Sequence, residues 1–540
     1  MAYTVAAGVR GAALAGVLIA CGACVGVAER TPDPIASCER EHDVALAAAP
    51  AHLPQARNPW YVDARRNLEA AQARRPLPGP ARNVIVFVGD GMDPNTVTAA
   101  RILEGQSLGG CGEEHTLSFE RFPYTGVVKT YSTDAQTADS AATSTALFSG
   151  VKTRSGVIGL DDRVARGDCA ATRGHQTASL FELAEQAGLA TGIVTTARVT
   201  HATPAAAFAH TPERAWEHDA EIPPAARDAG CADIAAQLVE FPHGDGIDLV
   251  LGGGRRAFLH ATQPDPEAGS ALQPWQQEEE RSDTGRREDG RDLIAEWRER
   301  YPAGRYVWNL AGFEALTPTW ETPVLGLFDA SHMDYEADRT GAMAGEPSLS
   351  AMTAKAIDIL AGRPRGFVLL VEGGRIDHAH HAGNAARALA ETIEFARAVG
   401  VAAERTDELD TLILVTADHG HTLSLTGYPR RGNAVLGLVV DQKTGRFAVD
   451  QHGERYTMLV YANGPGAQRD ARRRPDDTDP EALDHRQQAL VPLADETHGG
   501  NDVLVYARGP LAHLVQGVIE QNYLFHVAAA AVNIGDPAGT

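Results

Sequence analysis

Six short, mostly apolar runs set the limits on how this chain can fold: residues 83–88 (NVIVFV), 191–196, 247–251, 324–328, 367–371 (FVLLV) and 412–416. Runs of this length without polar alternation fit strands buried on both faces, and the first, third, fifth and sixth run straight into GDG, GGG, EGG and ADHGH. Helical patterns fall among them at 96–103, 178–187 (stopped by Gly188), 348–360 and 384–399. This order predicts an α/β fold, doubly wound, with a mostly parallel central sheet flanked by helices. Residues 261–300, with QQEEERSDTGRREDGRD, read as a solvated excursion. Residues 428–490 are rich in Gly, Arg and Asp with one strand at 456–461, and read as an inserted subdomain. The expected division is therefore 1–28, 29–80 (a Pro/Ala-rich tether and an exposed helix at 61–74), 81–427, 428–490 and 491–540.

Charge narrows the function. Forty-eight basic against seventy-one acidic residues give −23, which repels nucleic acid and anionic membrane surfaces, so no nucleic-acid-binding role is expected. An anionic substrate then needs a local positive site, most simply metal ions. Residues 11–28 are an uncharged run of apolar and small residues behind Arg10, an export signal in outline. Leu18-Ile19-Ala20-Cys21 resembles a bacterial lipobox that would lipidate Cys21; a plain cleaved signal and an uncleaved anchor are the other readings. All three place the globular part outside the cytoplasm: periplasmic, extracellular or lipid-anchored at the cell envelope. Six cysteines fit an oxidising compartment. Cys38 and Cys111 have no evident partners, and no zinc-finger CxxC spacing lies downstream of the signal, which leaves His and carboxylates to hold any metal.

The chemistry centres on TADSAATSTALFSG, residues 137–150. Asp139 can cap a short helix that Gly150 ends, which sets the Ser140 hydroxyl beside free backbone N–H groups where an anion is favoured. Asp90, Glu372 and the pair Asp418-His419 each follow a predicted strand, at the sheet edge where open α/β folds bind ligands. In VEGGRIDHAHH, Asp377 and His381 are four apart and share a helical face, and His498 in ETHGG is the best third ligand. His378, His380 and His421 read more readily as surface histidines than as supporting groups.

With these motifs in order, the sequence resembles the alkaline phosphatase family: GDGM, DSAATSTA, THATPAAAFAH, VEGGRIDHAHH, ADHGH and ETHGG all match, from about residue 58 to about 532. The likeness is to the animal-type branch, since His201 stands where the enteric bacterial type has aspartate. The resemblance implies Ser140 as nucleophile, two zinc ions and one magnesium. Asp377, His381 and His498 would hold one zinc; Asp90, Asp418 and His419 the second; Asp90, Thr203 and Glu372 the magnesium, with His201 behind it. Arg214, in HTPERAW, matches the arginine that grips the substrate phosphate; alone it would read as a surface arginine. The branch also has a calcium site, whose matching positions are Glu267, the Phe328 carbonyl, Asp329 and Glu346. Here Asp329 replaces a glutamate and Glu346 an aspartate, and Asp93 stands where glycine is common after GDGM. Cys169 and Cys231 match a bridged pair. The segment 61–74 and a crown-like subdomain at 428–490 match elements that contact a partner subunit, which implies a homodimer.

The implied activity is hydrolysis of small phosphate monoesters through a phosphoserine, attached to the membrane only through an N-terminal lipid anchor if Cys21 carries one. Two rivals stand beside it: a phosphodiesterase of the same superfamily, and a phosphate- or metal-binding lipoprotein without turnover. No CxPxR sulfatase signature is present, and a binder requires no nucleophile.

Overall fold

The computed structural model describes residues 53–268, 283–317, 319, 321–339, 345–467 and 479–534. The export signal and Cys21 lie outside the described residues. Eight strands come first: β1 (Asn83–Gly89), β2 (Tyr124–Lys129), β3 (Ala190–Arg198), β4 (Leu249–Gly253), β5 (Arg305–Val307), β6 (Val324–Leu327), β7 (Phe367–Gly373) and β8 (Thr411–Ala417). Five short ones follow: β9 (Gly420–His421), β10 (Leu423–Leu425), β11 (Leu459–Gly464), β12 (Ala489–Pro492) and β13 (His498–Gly499). Then come β14 (Val503–Arg508) and β15 (Gly517–Glu520).

The central sheet has ten strands in the order β15-β2-β14-β8-β1-β7-β3-β4-β6-β5. Its pairings are parallel except those of β14 with β8 and with β2. The α/β class with a mostly parallel, helix-flanked sheet is thus the observed one. β1, β7 and β8 are buried at every position, as continuous apolar runs require. β2, β14 and β15, which sequence reading missed, carry polar or half-exposed positions at the sheet's side and so lack that signature.

Local chemistry sets the helix ends. Ser179 and Glu182 form a reciprocal capping box before Leu180–Gln186, and Gly188 (φ 73°) provides the left-handed turn after it. Asn384 caps Ala385–Arg405, whose 21 residues run past the expected end at 399. Pro59–Ala73 forms the expected exposed helix, with only Val62 buried.

The excursion expected at 261–300 is corrected in its second half. Helix Leu293–Arg300 buries Leu293, Ile294 and Trp297, and Arg287 is fully buried between Asp233 and Asp289. Its charges read as solvated in sequence, but Arg287 is matched by carboxylates in the interior. In the stretch expected as an inserted subdomain, β11 pairs with β12 at its end and with β10, which precedes it. The strand expected at 456–461 begins at Leu459, because Thr457 instead makes an isolated bridge with Leu438.

Candidate active site

Register explains why residues far apart in sequence meet. Gly89 of β1 lies opposite Gly373 of β7 and Ala417 of β8, and Val88 lies opposite Glu372. Asp90 and Asp418 therefore leave the sheet at one level, beside Glu372. Helix Arg375–His381 follows β7 at once, and brings Asp377 and His381 over the same edge. The small β13–β9 pair sets His498 directly opposite His421. Gly91 (φ 70°) sits so close to His421 that a Cβ there would lie 2.4 Å from the ring, so both backbone shape and space call for glycine.

Three groups of metal-ligating atoms result, each within 4.8 Å of one another: Asp377, His381, His421 and His498; Asp90, Asp418 and His419; Asp90, His201 and Glu372. In the first, Asp377 Oδ1 is 3.3 Å from both His381 Nε2 and His498 Nε2, and those nitrogens are 3.1 Å apart. A tetrahedral zinc with bonds of about 2.0–2.1 Å spaces its donors roughly 3.3–3.4 Å apart, so this face fits one. His381 Nδ1 and His498 Nδ1 face the carbonyls of Glu496 (2.5 Å) and Ala138 (2.9 Å), which turns both Nε2 lone pairs inward. In the second group, His419 Nε2 lies 3.3 Å from Asp90 Oδ1 and from Asp418 Oδ2, the same spacing. In the third, Asp90 Oδ2, Glu372 Oε1 and His201 Nδ1 are buried without a hydrogen-bond partner, as is Thr203 Oγ1, whose side chain lies by Glu372. Three orphaned oxygens in one place suit a hard cation such as magnesium.

Electrostatics point the same way. Burial, then the charges of Asp418, Asp377 and Glu372, push the Asp90 carboxyl well above the usual range. Glu372 is raised to about 8, by burial first. Asp377 is the exception: burial opposes its ionisation, but His381, His421 and His498 hold it well below the ordinary value. Burial, reinforced by His498, keeps the His419 imidazole neutral. Without cations some of these carboxyls have to keep protons, whereas cations among them let all ionise together.

Ser140 is the first residue of helix Ser140–Ser149, capped by Asp139 and ended by Gly150 (φ 74°). The serine is 1% exposed, and its Oγ lies 3.2 Å from His419 Nε2 and 3.5 Å from Asp90 Oδ1. Arg214 is held by the residue before the serine and by His201: one guanidinium nitrogen donates to Asp139 Oδ2 at 2.9 Å and another faces His201 Nε2 at 3.0 Å. Burial works against the arginine's charge, but Asp139 first, then Asp90 and Asp377, hold its pKa above the ordinary value. It is a permanent cation beside the serine, and the surface reading of its local sequence does not hold.

The comparisons with known proteins agree in kind. The sequence model of the alkaline phosphatase family matches residues 81–534. The tissue-nonspecific alkaline phosphatase of Gallus gallus is 45% identical over 483 residues, covering 88% of this chain and 89% of that protein. The alkaline phosphatase of Gadus morhua is 44% identical, covering 88% and 97%. The chain belongs to the alkaline phosphatase family. It is accordingly a phosphate monoester hydrolase. Among solved structures, the Thermus thermophilus alkaline phosphatase matches with a TM-score of 0.59 at 25% identity over 86% of this chain and 94% of that one. The enzyme of the Antarctic bacterium TAB5 matches in fold, with a TM-score of 0.54 at 21% identity over 85% and 99%.

Within this alkaline phosphatase fold, two histidines expected at the surface are in the interior. His421 is 2% exposed and bridges Asp377 Oδ1 (2.8 Å) and Glu496 Oε2 (2.5 Å). Burial opposes its charge, but hydrogen bonds to Asp377 and Glu496 raise its pKa to about 10. His380 is fully buried between Thr96 Oγ1 and Tyr461 Oη. His378 is half-buried. The available signal was the i, i+2 spacing of His419 and His421, which in extended backbone puts both on one face. Asp93 caps helix Pro94–Ser107 through Thr96 N, consistent with a role in the loop.

The expected calcium positions meet only in part. Asp329 and Glu346 come within 4.8 Å, joined by Asp334, which sequence reading did not single out. Glu267 is instead engaged by buried Arg255 at 2.5 Å. Cys169 and Cys231 are disulfide-bonded, with Cα atoms 6.0 Å apart. Cys111 is disulfide-bonded too, although its sequence context suggested no partner.

Proposed function

We propose that the chain hydrolyses phosphate monoesters through a phosphoserine at Ser140, in a site for two zinc ions and one magnesium. Asp377, His381 and His498 would hold the first zinc, Asp90, Asp418 and His419 the second, and Asp90, Thr203 and Glu372 the magnesium, with His201 behind it. When bound, the ions supply Lewis-acid stabilisation of the attacking and leaving oxygens and balance the phosphoryl charge. The observation that carries the reading is the Ser140 hydroxyl, set against His419 and Asp90 at a helix N-terminus.

The chain's own groups divide the work. Ser140 Oγ forms a bond to phosphorus as the ester P–O bond breaks and the alcohol leaves. Arg214 grips two non-bridging oxygens with its planar fork. Asp139 holds that fork in place, and the buried site excludes bulk water, which strengthens every charge contact on the equatorial oxygens. A second in-line displacement by water breaks the P–Oγ bond and returns the serine hydroxyl. Hydrolysis of an aryl phosphate should vanish with a chelator and return on addition of zinc and magnesium. Protein quenched in acid should carry phosphate on Ser140; full activity in Ser140→Ala would overturn the reading.

The same proposal covers assembly and location. Trp60 and Leu68 on helix Pro59–Ala73, and Tyr428 (78% exposed) and Leu490 (83%) in the later subdomain, are large apolar side chains left in water. They support a two-fold homodimer in which these segments meet a partner; light scattering that finds a monomer at micromolar concentration would count against it. Calcium at three of the four expected positions, Asp329, Glu346 and the Phe328 carbonyl, with Glu267 held by Arg255, is supported by carboxyls pushed upward, Asp329 to about 7 by burial and then Glu267. Calcium titration should raise the melting temperature, and an unchanged one would remove the site. No helix among the described residues is long and apolar enough to cross a membrane. Export, with or without lipid on Cys21, is checked by mass spectrometry of the mature N-terminus.

A further inference from the structure

The position of Arg214 is set by no helix or strand. It lies on an irregular turn, and its backbone N–H donates to the Gly156 carbonyl at 2.8 Å. Two residues on, Trp216 is buried in a small cluster with Cys169, Ile222 and Ala226. One residue further, Glu217 turns inward to Arg198, the last residue of β3. Arg198 Nε donates to Glu217 Oε1 and Oε2 at 3.1 and 2.8 Å, and a terminal nitrogen donates to Oε1 at 2.7 Å. The Thr200 hydroxyl donates to Oε2 at 2.5 Å. Both side chains are about 15% exposed.

Arg198 is in turn held from behind. Its backbone N–H donates to His332 Nδ1 at 3.2 Å, and its remaining guanidinium nitrogen lies 2.5 Å from His332 Nε2 and 3.3 Å from Ser331 Oγ. The knot therefore joins the central sheet to two segments at once: residues 198–203, with His201 and Thr203, and the turn with Arg214. Burial opposes the charge on Glu217, but Arg198 lowers its pKa to about 2, so the pair stays ionised.

We propose that Glu217, through its fork with Arg198 and its bond to Thr200, is the positioning residue that holds Arg214 at the phosphate site. This rests on the reading of Arg214 as the phosphate grip. Without the fork, the turn loses its side-chain tie to β3, and the Arg214 guanidinium would drift from the place it holds between Asp139 and His201. A guanidinium fork is useful only when both oxygens are met together, so a small loss of orientation weakens anion binding more than it weakens the fold.

The test is a double-mutant cycle on zinc- and magnesium-loaded protein, with inorganic phosphate as the probe and its dissociation constant read by calorimetry. Arg214→Ala should weaken phosphate binding, and Glu217→Gln, nearly isosteric, should weaken it roughly tenfold. In the Arg214→Ala background Glu217→Gln should add less than about twofold, because its effect passes through the arginine. If Arg214→Ala itself leaves phosphate affinity unchanged, the phosphate-grip reading falls, and this proposal with it. If Arg214→Ala weakens binding but Glu217→Gln does not, or the two losses multiply, Glu217 does not position Arg214. Should Glu217→Gln fail to fold, Thr200→Val removes one bond to the same carboxylate and should show the same coupling at roughly threefold, with independent losses again overturning it.

Discussion

The central sheet carries acid clusters at both edges, one at the C-terminal ends of β1, β7 and β8 and one at the N-terminal ends of β3 and β4, and the two edges behave differently. At the C-terminal edge of the sheet, Asp90, Glu372, Asp377 and Asp418 gather with His381, His419 and His498, and buried oxygens on Asp90, Glu372 and Thr203 lack partners. At the opposite edge Glu185, Asp245 and Asp248 also come within 4.8 Å. There Arg363 pairs with Asp248 and, at 3.4 Å, with Asp245, while Thr191 donates to Glu185 at 2.6 Å and its backbone N–H to Asp248. Closely spaced carboxylates therefore do not define a metal centre. What separates the two ends is whether the chain supplies its own cation and satisfies the oxygens, or leaves imidazole lone pairs and orphaned oxygens turned to a common point.

The sharpest way to break that contrast is to remove one ligand at each end. Asp377→Ala should release one zinc per chain and lower aryl phosphatase activity by about a thousandfold or more, since the remaining donors are too few to hold the ion. Asp245→Ala should change neither metal content nor turnover. Metal analysis of both purified variants decides it: equal zinc in the Asp377 variant and wild type, or metal lost from the Asp245 variant, would dissolve the distinction.

Arg214 comes next in size, because it is the cation the chain itself provides at the active edge. Arg214→Ala should lower monoesterase kcat/KM by about 30- to 1000-fold, equivalent to about 2–4 kcal/mol for a charge-assisted fork in a water-excluding site. Any weak diesterase activity should fall much less, since a diester has one of those oxygens substituted. Equal losses on both ester classes would favour a diesterase.

How much of this was legible in the chain differs from place to place for physical reasons. Strands β1, β7 and β8 are buried on both faces, so their burial is written as unbroken apolar sequence, and the acids that follow them could be placed at one edge. β2, β14 and β15 lie at the side of the sheet, where half-exposed positions blur the pattern, and the antiparallel course of β14 has no local signal at all. His380 and His421 were misjudged because a buried histidine differs from an exposed one only in its partners. Those partners, Tyr461 and Glu496, lie far along the chain. Asp334 joins Asp329 and Glu346 across a segment whose path sequence does not state. The Glu217–Arg198 fork is of the same kind: neither residue belongs to a motif, and only the fold brings them together.

The smallest expected effect concerns the opposite edge, where a proton rather than a metal does the neutralising. Burial raises the Glu185 carboxyl to about 8, with Thr191 and Arg363 pulling the other way. In the folded state it keeps its proton at neutral pH, whereas in the unfolded chain it ionises near the ordinary glutamate value of 4.5. Between those values the folded state binds more protons, so stability falls as pH rises from about 4.5 toward about 8. Glu185→Gln keeps the shape and the acceptor for Thr191 but cannot ionise in either state. The variant should be more stable than wild type at pH 8, by about 1–2 kcal/mol once relaxation and water entry are allowed for, and the difference should shrink toward pH 5. Zinc and magnesium content should not change. Urea unfolding at both pH values is the measurement. A variant less stable at pH 8 than at pH 5 relative to wild type would mean that Glu185 is ionised in the fold. A cation would then be needed at that edge too, and the contrast between the two ends would have to be given up.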